Sequence, residues 1–530
     1  MTDASSSKVQ LPVGLRLSSY SMKTPSRTLL TDAHAEIPAG SMTLLVGPSG
    51  VGKSVLLQSL AGLASVFESG IETGGVASFI DPSGRTFPAG QRPTIGFVFQ
   101  SLAIFDDLSP AENVQISIDH CRGGPPSRTA NQWLIDLGIP AGTRSSLLSG
   151  GQRQRLAIAR ALASSPAMLF FDEPTSGLDE ATARQVAQLI TDIHRQHGST
   201  CLIVTHDVRP FLDMADQILL FDGQKRQLRE LDPAAVDDWH SALQEALPKE
   251  DDREGLASAR RRSWVGSIAS FFQKTADIVG GALWTPIDLL PLWRSARWGG
   301  RALAHSLRLV AGPSAWIYLA LAGLIVGFVA TYFTFRYMPY AKYTETLFVE
   351  NLLSSIGFAL YRILVPIFGT ILIAARSGAA LSADVGGRIY GRQHDALATL
   401  GVSPDRYAKF GALWSMMLTT PILIAWASLL AGGASLVVFT AIRPEWGPTF
   451  WDRYFADAFW PAHQSTPSGL GWWFAKVTLC GLGAGQIAYA VGRQPKRSSE
   501  DISRSITRTV LLATIWVLLV HFGFAFVEFE

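Results

Sequence analysis

Eight residues, Gly47-Pro48-Ser49-Gly50-Val51-Gly52-Lys53-Ser54, constrain the fold of this chain more than any other feature. They fit GxxxxGK[ST] at every fixed position. They follow Met42–Val46, an apolar run that reads as a buried strand, and precede Val55–Leu63, which reads as a helix. Strand, glycine-rich turn and helix in that order predict an α/β domain of the P-loop NTPase type. The glycines let backbone N–H groups curl around phosphate, and the helix N-terminus adds a favourable dipole. Lys53 is then placed to reach the β- and γ-phosphates, and the Ser54 hydroxyl to ligate Mg²⁺ beside bound ATP.

Two further apolar runs end in chemistry of the same kind. Ala167–Phe171 ends in Asp172-Glu173. One carboxylate at such a strand end can hold the metal's water shell, and the other can activate a water. Leu202–Thr205 ends at His206, which is placed to contact a γ-phosphate. Alone, His206 reads more simply as an ordinary satisfied histidine.

Leu148-Ser149-Gly150-Gly151-Gln152 runs into Arg153–Leu162. This LSGGQ pentapeptide resembles the signature of the ABC-transporter ATPases, and other motifs of that family stand in family order. Gln100 resembles the Q-loop residue, with a catalytic and metal-binding role implied. Ser176-Gly177-Leu178-Asp179 resembles the D-loop, and Thr205-His206-Asp207 the switch histidine. Tyr20, 27 residues before Gly47, resembles the aromatic residue that stacks on adenine. The resemblance covers about residues 12–225. It implies Glu173, His206 and Gln100 as catalytic residues, Ser54, Gln100 and Asp172 around Mg²⁺, and Ser149–Gln152 with Asp179 on the nucleotide. In the family, one subunit's signature closes over nucleotide held by the other. One copy of each motif therefore implies a C2 homodimer with two composite ATP sites.

Composition separates this part from the rest. Apolar residues make up 48% of the chain and charged ones 17%, against roughly 25% charged in an average soluble protein. Residues 1–300 hold 27 Lys/Arg and 31 Asp/Glu, whereas residues 301–530 hold 18 and 12. The second part is thus a membrane candidate. A net charge of +2 gives no argument for nucleic-acid binding. Three scattered cysteines, Cys121, Cys201 and Cys480, suggest neither a disulfide framework nor a CxxC metal site. Met1–Gly14 is polar and lacks the apolar core of a signal peptide, so the ATPase is expected in the cytosol.

A span needs about 20 apolar residues. Five stretches qualify: Trp316–Phe335, Leu352–Ala383, Phe410–Ala441, Leu470–Gly492 and Val510–Val527. Flanking Lys/Arg total four on one side and thirteen on the other, which puts the richer side in the cytosol and the C-terminus outside. Arg362, Arg376 and Lys476 are the charges inside spans, and therefore candidates for a membrane path. GxxxG-like spacing at Gly481 and Gly485, and at Ala374, Gly378 and Ser382, allows close helix contact.

Between the parts, Asp232–Leu247 reads as a short helix and Lys249–Glu254 as a solvated boundary. Arg260–Arg262 with Trp264, Val265, Ile268, Phe271 and Phe272 reads as a helix on an anionic membrane surface. Arg294, Arg297, Arg301 and Arg308, near Trp293 and Trp298, read as one face of an interfacial elbow. The expected division is 1–230 ATPase, 231–310 connector and 311–530 membrane domain, the last all-α with about five spans.

Tyr361–Pro366, Ala375–Ala383, Leu400–Pro404 and Asp501–Val510 resemble the MlaE-type permease family. That resemblance implies transport of phospholipid or a related lipid across a bacterial inner membrane, with a periplasmic MCE-domain protein as partner. Two positions depart from the pattern: Ile363 stands where an acidic residue is usual after Arg362, and Arg392 where Glu is usual before Gln393. The first removes Arg362's expected neighbouring counter-ion. The loop Arg388–Arg406, with Ala396, Leu397, Leu400 and Pro404, is the expected coupling element near Gln100. Two other readings stay open: an ABCG-like exporter of a small hydrophobic molecule, and a mechanotransmitter acting on a periplasmic partner. The second is weakened because the longest outer loop, Ile442–Gly469, is too short for an extracellular domain.

Overall fold

The computed structural model describes residues 11–25, 27–63, 71–88, 91–121, 128–231, 285–337, 341–460, 467–496 and 498–528. The expectations for 232–284, including the amphipathic helix after Arg260–Arg262, lie outside the described residues. The chain divides into two compact units, Met1–Ala269 with Tyr390–Ser403, and Ser270–Ile389 with Pro404–Glu530.

The first unit holds two sheets. Strands β1 (Gly14–Lys23), β2 (Thr28–Ile37) and β4 (Glu72–Ile80) form an antiparallel sheet in the order β2-β1-β4. Strands β3 (Met42–Val46), β5 (Ile95–Val98), β6 (Met168–Asp172), β7 (Thr200–Val204), β8 (Gln217–Asp222) and β9 (Gln227–Leu231) form the second, in the order β5-β6-β7-β3-β8-β9. All neighbours there are parallel except β8 and β9. β3, β6 and β7 are buried at every position. That explains their unbroken apolar sequence: a parallel strand covered on both faces has no polar side.

Helices α1 (Lys53–Ala61), α2 (Pro110–His120), α3 (Ala130–Asp136), α4 (Gly150–Leu162) and α5 (Glu180–His197) surround these sheets. Capping boxes start three of them, Ser109/Glu112 at α2, Thr129/Gln132 at α3 and Ser149/Gln152 at α4. Each box satisfies two N–H groups that a helix start otherwise leaves unpaired. Leu156, Ile158 and Leu162 of α4 join Val98, Leu169 and Phe171 in one buried core. In an open parallel sheet, ligands bind beyond the carboxyl ends of the strands. Here β3, β5, β6 and β7 all run out into the motif residues on that edge.

The second unit is helical. Helix α6 (Ala296–Val310) precedes α7 (Pro313–Arg336) and α8 (Ala341–Phe358). The chain then passes through a π segment (Ala359–Leu364), α9 (Val365–Ile373), a second π segment (Ala374–Gly378) and α10 (Ala379–Tyr390). Short α11 (Gln393–Thr399) belongs to the first unit, and α12 (Pro404–Ile442), α13 (Gly447–Phe455), α14 (Leu470–Gly492) and α15 (Ser499–Glu528) return to the second. Among the described residues, five helical stretches are long and apolar enough to cross a membrane: 296–336, 348–390, 404–442, 470–492 and 499–528. The expected five spans are these, four of them with longer ends.

Close packing explains the small residues, including a pair the spacing reading passed over. A Cβ on Gly323 or Gly327 of α7 would lie 2.3 Å or 2.2 Å from the Ala427 or Ala431 carbonyl oxygen of α12. Only glycine permits that backbone approach. Gly481 meets the Met416 carbonyl oxygen in the same way, at 2.6 Å, whereas a Cβ on Gly485 would lie 3.1 Å from the Met416 Cβ. Of the four elbow arginines, Arg294 falls before α6, and Trp298 is buried rather than turned outward.

Candidate functional site

The P-loop leads directly from β3 into α1. Gly47, Gly50 and Gly52 all have positive φ, and a Cβ on Gly47 would lie 2.9 Å from the Phe221 carbonyl oxygen. Lys53 is buried and folds back on its own loop, donating to the carbonyl oxygens of Gly47 (2.7 Å) and Pro48 (2.9 Å). Burial depresses its pKa, and the charges of Glu173 and Asp172 oppose that. Ser54 Oγ donates to Asp172 Oδ1 at 2.7 Å. Burial raises the Asp172 pKa, and the Ser54 hydrogen bond and the Arg392 charge counteract it. A hydroxyl beside a carboxylate is the hard-oxygen donor set that suits Mg²⁺. Among the described residues there is no cluster of three His, Cys, Asp or Glu that could hold a metal without help from the nucleotide.

Glu173 follows β6 in a left-handed conformation, φ 49°. A non-glycine residue there stores backbone strain that its surroundings must offset. Its N–H donates to the Val204 carbonyl at 2.9 Å, which ties the loop to β7. Gln100 Nε2 donates to Glu173 Oε2 at 2.8 Å, and His206 Nδ1 lies 3.6 Å from the same oxygen. Three motif residues from three strand ends thus meet at one carboxylate. In this arrangement the Gln100 amide is engaged by Glu173, while Ser54 is engaged by Asp172.

Ser149 caps α4 through reciprocal bonds with Gln152, and Ser149 and Gly150 at the helix start are exposed. Asp179 caps α5 through the Thr182 N–H (2.9 Å) and hydroxyl (2.7 Å). Those bonds, the backbone one first, hold its pKa below the usual carboxylate range. Tyr20 does not take the expected place. Its side chain is buried and its hydroxyl pairs with Ser59 Oγ at 2.8 Å. An irregularity in β1, with Ser19 at φ 47°, turns Tyr20 inward against α1, so its ring presents no face to an adenine.

Helix α11 packs within the ATPase unit. Gln393 Nε2 donates to the Ile104 carbonyl at 2.9 Å, and Gln393, His394, Asp395 and Ala396 are all buried. Leu400 is buried as well, while Leu397 is only half-buried and Pro404 belongs to the other unit. Polar Gln393 and Asp395 were not among the residues expected here. Arg392 Nη1 lies 3.3 Å from Asp395 Oδ2, yet burial dominates and pushes the Asp395 pKa up to about 6.

In the membrane unit, Arg362 and Lys476 converge on a residue the sequence reading missed. Glu528 Oε1 accepts from Arg362 Nε (3.0 Å) and Nη2 (2.7 Å). Glu528 Oε2 accepts from Lys476 Nζ (2.6 Å), which also donates to the Arg362 carbonyl (2.8 Å). All three side chains are at most 9% exposed. Arg376 stands apart. Its guanidinium caps the end of α6 on the Leu309 (3.1 Å) and Val310 (2.7 Å) carbonyls and also binds Ser314 Oγ (2.5 Å). That engagement suits a helix-end anchor better than a path.

A parallel sheet with a P-loop, a carboxylate pair and a capped signature helix defines a P-loop ATPase, here continuous with a helical membrane unit. Two family models match, ABC transporter over residues 30–176 and Permease MlaE over residues 305–527. The aliphatic sulfonates import ATP-binding protein SsuB 2 of Burkholderia lata is 32% identical over 253 residues, 47% of this chain and 83% of that protein. The sulfate/thiosulfate import ATP-binding protein CysA of Nephroselmis olivacea is 38% identical over 197 residues, 36% of this chain and 55% of that protein. The chain spans little more than half the length of the CysA proteins it matches. A solved dimeric, post-hydrolysis state of the ATP-binding cassette MJ0796 with ADP and Pi is 26% identical, with 41% of this chain and 98% of that one covered and a TM-score of 0.35. The chain belongs to the ABC transporter family. It joins an ABC ATPase to an MlaE permease in one polypeptide.

Proposed function

We propose that this chain is one half of an ATP-driven lipid transporter of a bacterial inner membrane, working as a homodimer. The observation that carries the coupling is the Gln393–Ile104 hydrogen bond. Residues 393–399 lie inside the permease match, yet they pack in the ATPase unit, four residues along from Gln100, which binds Glu173. Lipid as cargo rests on the permease match alone.

In this reading Glu173 takes a proton from the attacking water, Gln100 and His206 orient that water and the γ-phosphate, and Lys53 leaves its loop carbonyls for the phosphates. The N–H groups at the start of α4, with Ser149, complete the partner's ATP site, and Asp179 lies beside the same interface. Ser54 and Asp172 would hold Mg²⁺, which when bound offsets the negative charge that builds on the phosphates. Ala396 and Leu400 seat α11, and the buried Arg362–Glu528–Lys476 group stands on the candidate lipid path. The ATPase unit is placed in the cytosol and the C-terminus on the periplasmic side, where an MCE-domain protein would exchange lipid.

The test is ATP-dependent transfer of a fluorescent phospholipid by the full chain in proteoliposomes, beside mass spectrometry of lipid that co-purifies with it. Phospholipid movement that stops with a non-hydrolysable ATP analogue is expected. Movement of a small hydrophobic dye but not of phospholipid would replace the lipid reading with an exporter.

A further inference from the structure

Among the described residues, Arg160 is the one fully buried guanidinium of the ATPase unit that the nucleotide chemistry above does not use. It lies on α4, eleven residues after Ser149. Its Nη2 donates to the Leu102 carbonyl at 3.0 Å, its Nη1 donates to the Ala103 carbonyl, and the Phe105 ring covers it at 5.6 Å. No carboxylate joins it among the described residues, and burial pushes its pKa down to about 10. A buried cation held by carbonyls and a ring is costly unless those contacts serve something.

What they hold is a strained piece of backbone. Leu102 and Ala103 are consecutive non-glycine residues with φ of 64° and 50°. Neither is a type that favours the left-handed region, so the surroundings must impose it. The next carbonyl, that of Ile104, takes the Gln393 amide. Three successive carbonyls are therefore gripped from two sides, by α4 at 102 and 103 and by α11 at 104. The segment begins at Gln100, whose amide is on Glu173.

We propose that Arg160 is a positioning residue for ATP hydrolysis, joining the segment after Gln100 to the signature helix so that the seating of α11 reaches both Glu173 and the N-terminus of α4. Displacement of α11 pulls on Ile104. The Arg160 fork passes that pull to α4, and Gln100 passes it to the base. One movement then adjusts a subunit's own catalytic carboxylate together with the Ser149 end that faces the partner's nucleotide. Lysine cannot reproduce this, because a single ammonium lacks the planar fork that spans two carbonyls. The inference rests on the ATPase reading and not on the cargo, so ATP turnover in detergent tests it whatever crosses the membrane.

The experiment compares the full chain with Arg160→Lys, Gln393→Leu and their double variant. The readouts are kcat and KM for ATP, melting temperature, and backbone hydrogen exchange. Arg160→Lys should lower kcat about tenfold, leave KM for ATP within about threefold, and melt near wild type. The double variant should be no slower than the slower single variant, because both act on one segment. In Gln393→Leu, exchange should rise at residues 102–105 and also at 149–153. Normal kcat in Arg160→Lys, or kcat losses that multiply in the double variant, would overturn the proposal. So would a rise in exchange confined to residues 102–105, a result that needs no Arg160 variant to fold.

Discussion

Glu528 and Arg362, 166 residues apart in the chain, share two hydrogen bonds at 3.0 and 2.7 Å inside the helical unit. Lys476 completes the group from a third helix. Taking one member from a buried ion group leaves the others charged and poorly solvated, at about 3–5 kcal/mol. Glu528→Gln should therefore lower the melting temperature of the detergent-solubilised chain far more than Arg376→Gln, whose guanidinium is half exposed. Equal melting curves for the two variants would remove the group from its structural role. Lipid transfer measured on the same variants in proteoliposomes separates the two roles, since a variant that folds but does not transport places the group on the path.

Hydrolysis should depend on Glu173 through basicity alone. Glu173→Gln keeps the hydrogen bond from Gln100 by turning its amide but cannot accept a proton from water. Turnover is expected to fall at least ~10²-fold with nucleotide affinity retained. Lys53→Ala should instead weaken binding itself, because it removes the cation from the loop. Steady-state ATPase rates and nucleotide titrations decide both, and near-normal turnover in Glu173→Gln assigns the base elsewhere.

The proposed composite sites make a prediction about mixtures. Lys53→Ala and Ser149→Arg chains should each be inactive alone. In a mixed dimer one site carries both defects and the other carries neither. Doubly tagged dimers purified after co-expression should recover measurable ATPase activity. If they stay as inactive as the parents while still binding ATP at one site, turnover requires two intact sites.

Asp395 ties stability to pH. Its folded pKa, about 6, lies above the ordinary 3.8. Between those values the folded chain binds more protons than the unfolded one, so stability falls as pH rises from about 4 to 6. At 1.36 kcal/mol per pH unit, this window amounts to about 3 kcal/mol. Asp395→Asn should remove that slope: its melting temperature should exceed wild type at pH 7 and approach it near pH 4. A difference that does not change with pH would mean the carboxylate titrates at its ordinary value.

The nucleotide site was legible because its parts are contiguous. The P-loop, Asp172-Glu173 and Leu148–Gln152 each carry their geometry within a few residues, and apolar strands mark where they start. Pairings across the chain were not legible in the same way. Ile363 in the usual acidic place told only that Arg362 lacks its neighbour, not that Glu528 supplies the charge from the far end. Tyr20 has the right residue type at a plausible distance, but an irregularity in β1 reverses which way it faces. On α11 the apolar pattern pointed to Leu397 and Leu400, while the hydrogen bond to the ATPase loop comes from Gln393. A polar residue that is buried because it is paired looks, in sequence, like an exposed one.

The two π segments bear on how this permease can change by insertion and deletion. A π turn holds one residue more than the α turn it replaces. The stretch from Phe348 to Tyr390 therefore contains two slips of winding, at Ala359–Leu364 and Ala374–Gly378, and each includes one of its buried or half-buried arginines. Helical-wheel faces drawn through it run true only within each third. Loss of a single residue at the first slip would restore an ordinary α turn and leave Arg376, with everything beyond it, facing as before, because the π turn has absorbed the extra residue. The span thus carries two places where one codon can be lost without re-aiming the part of the helix that follows.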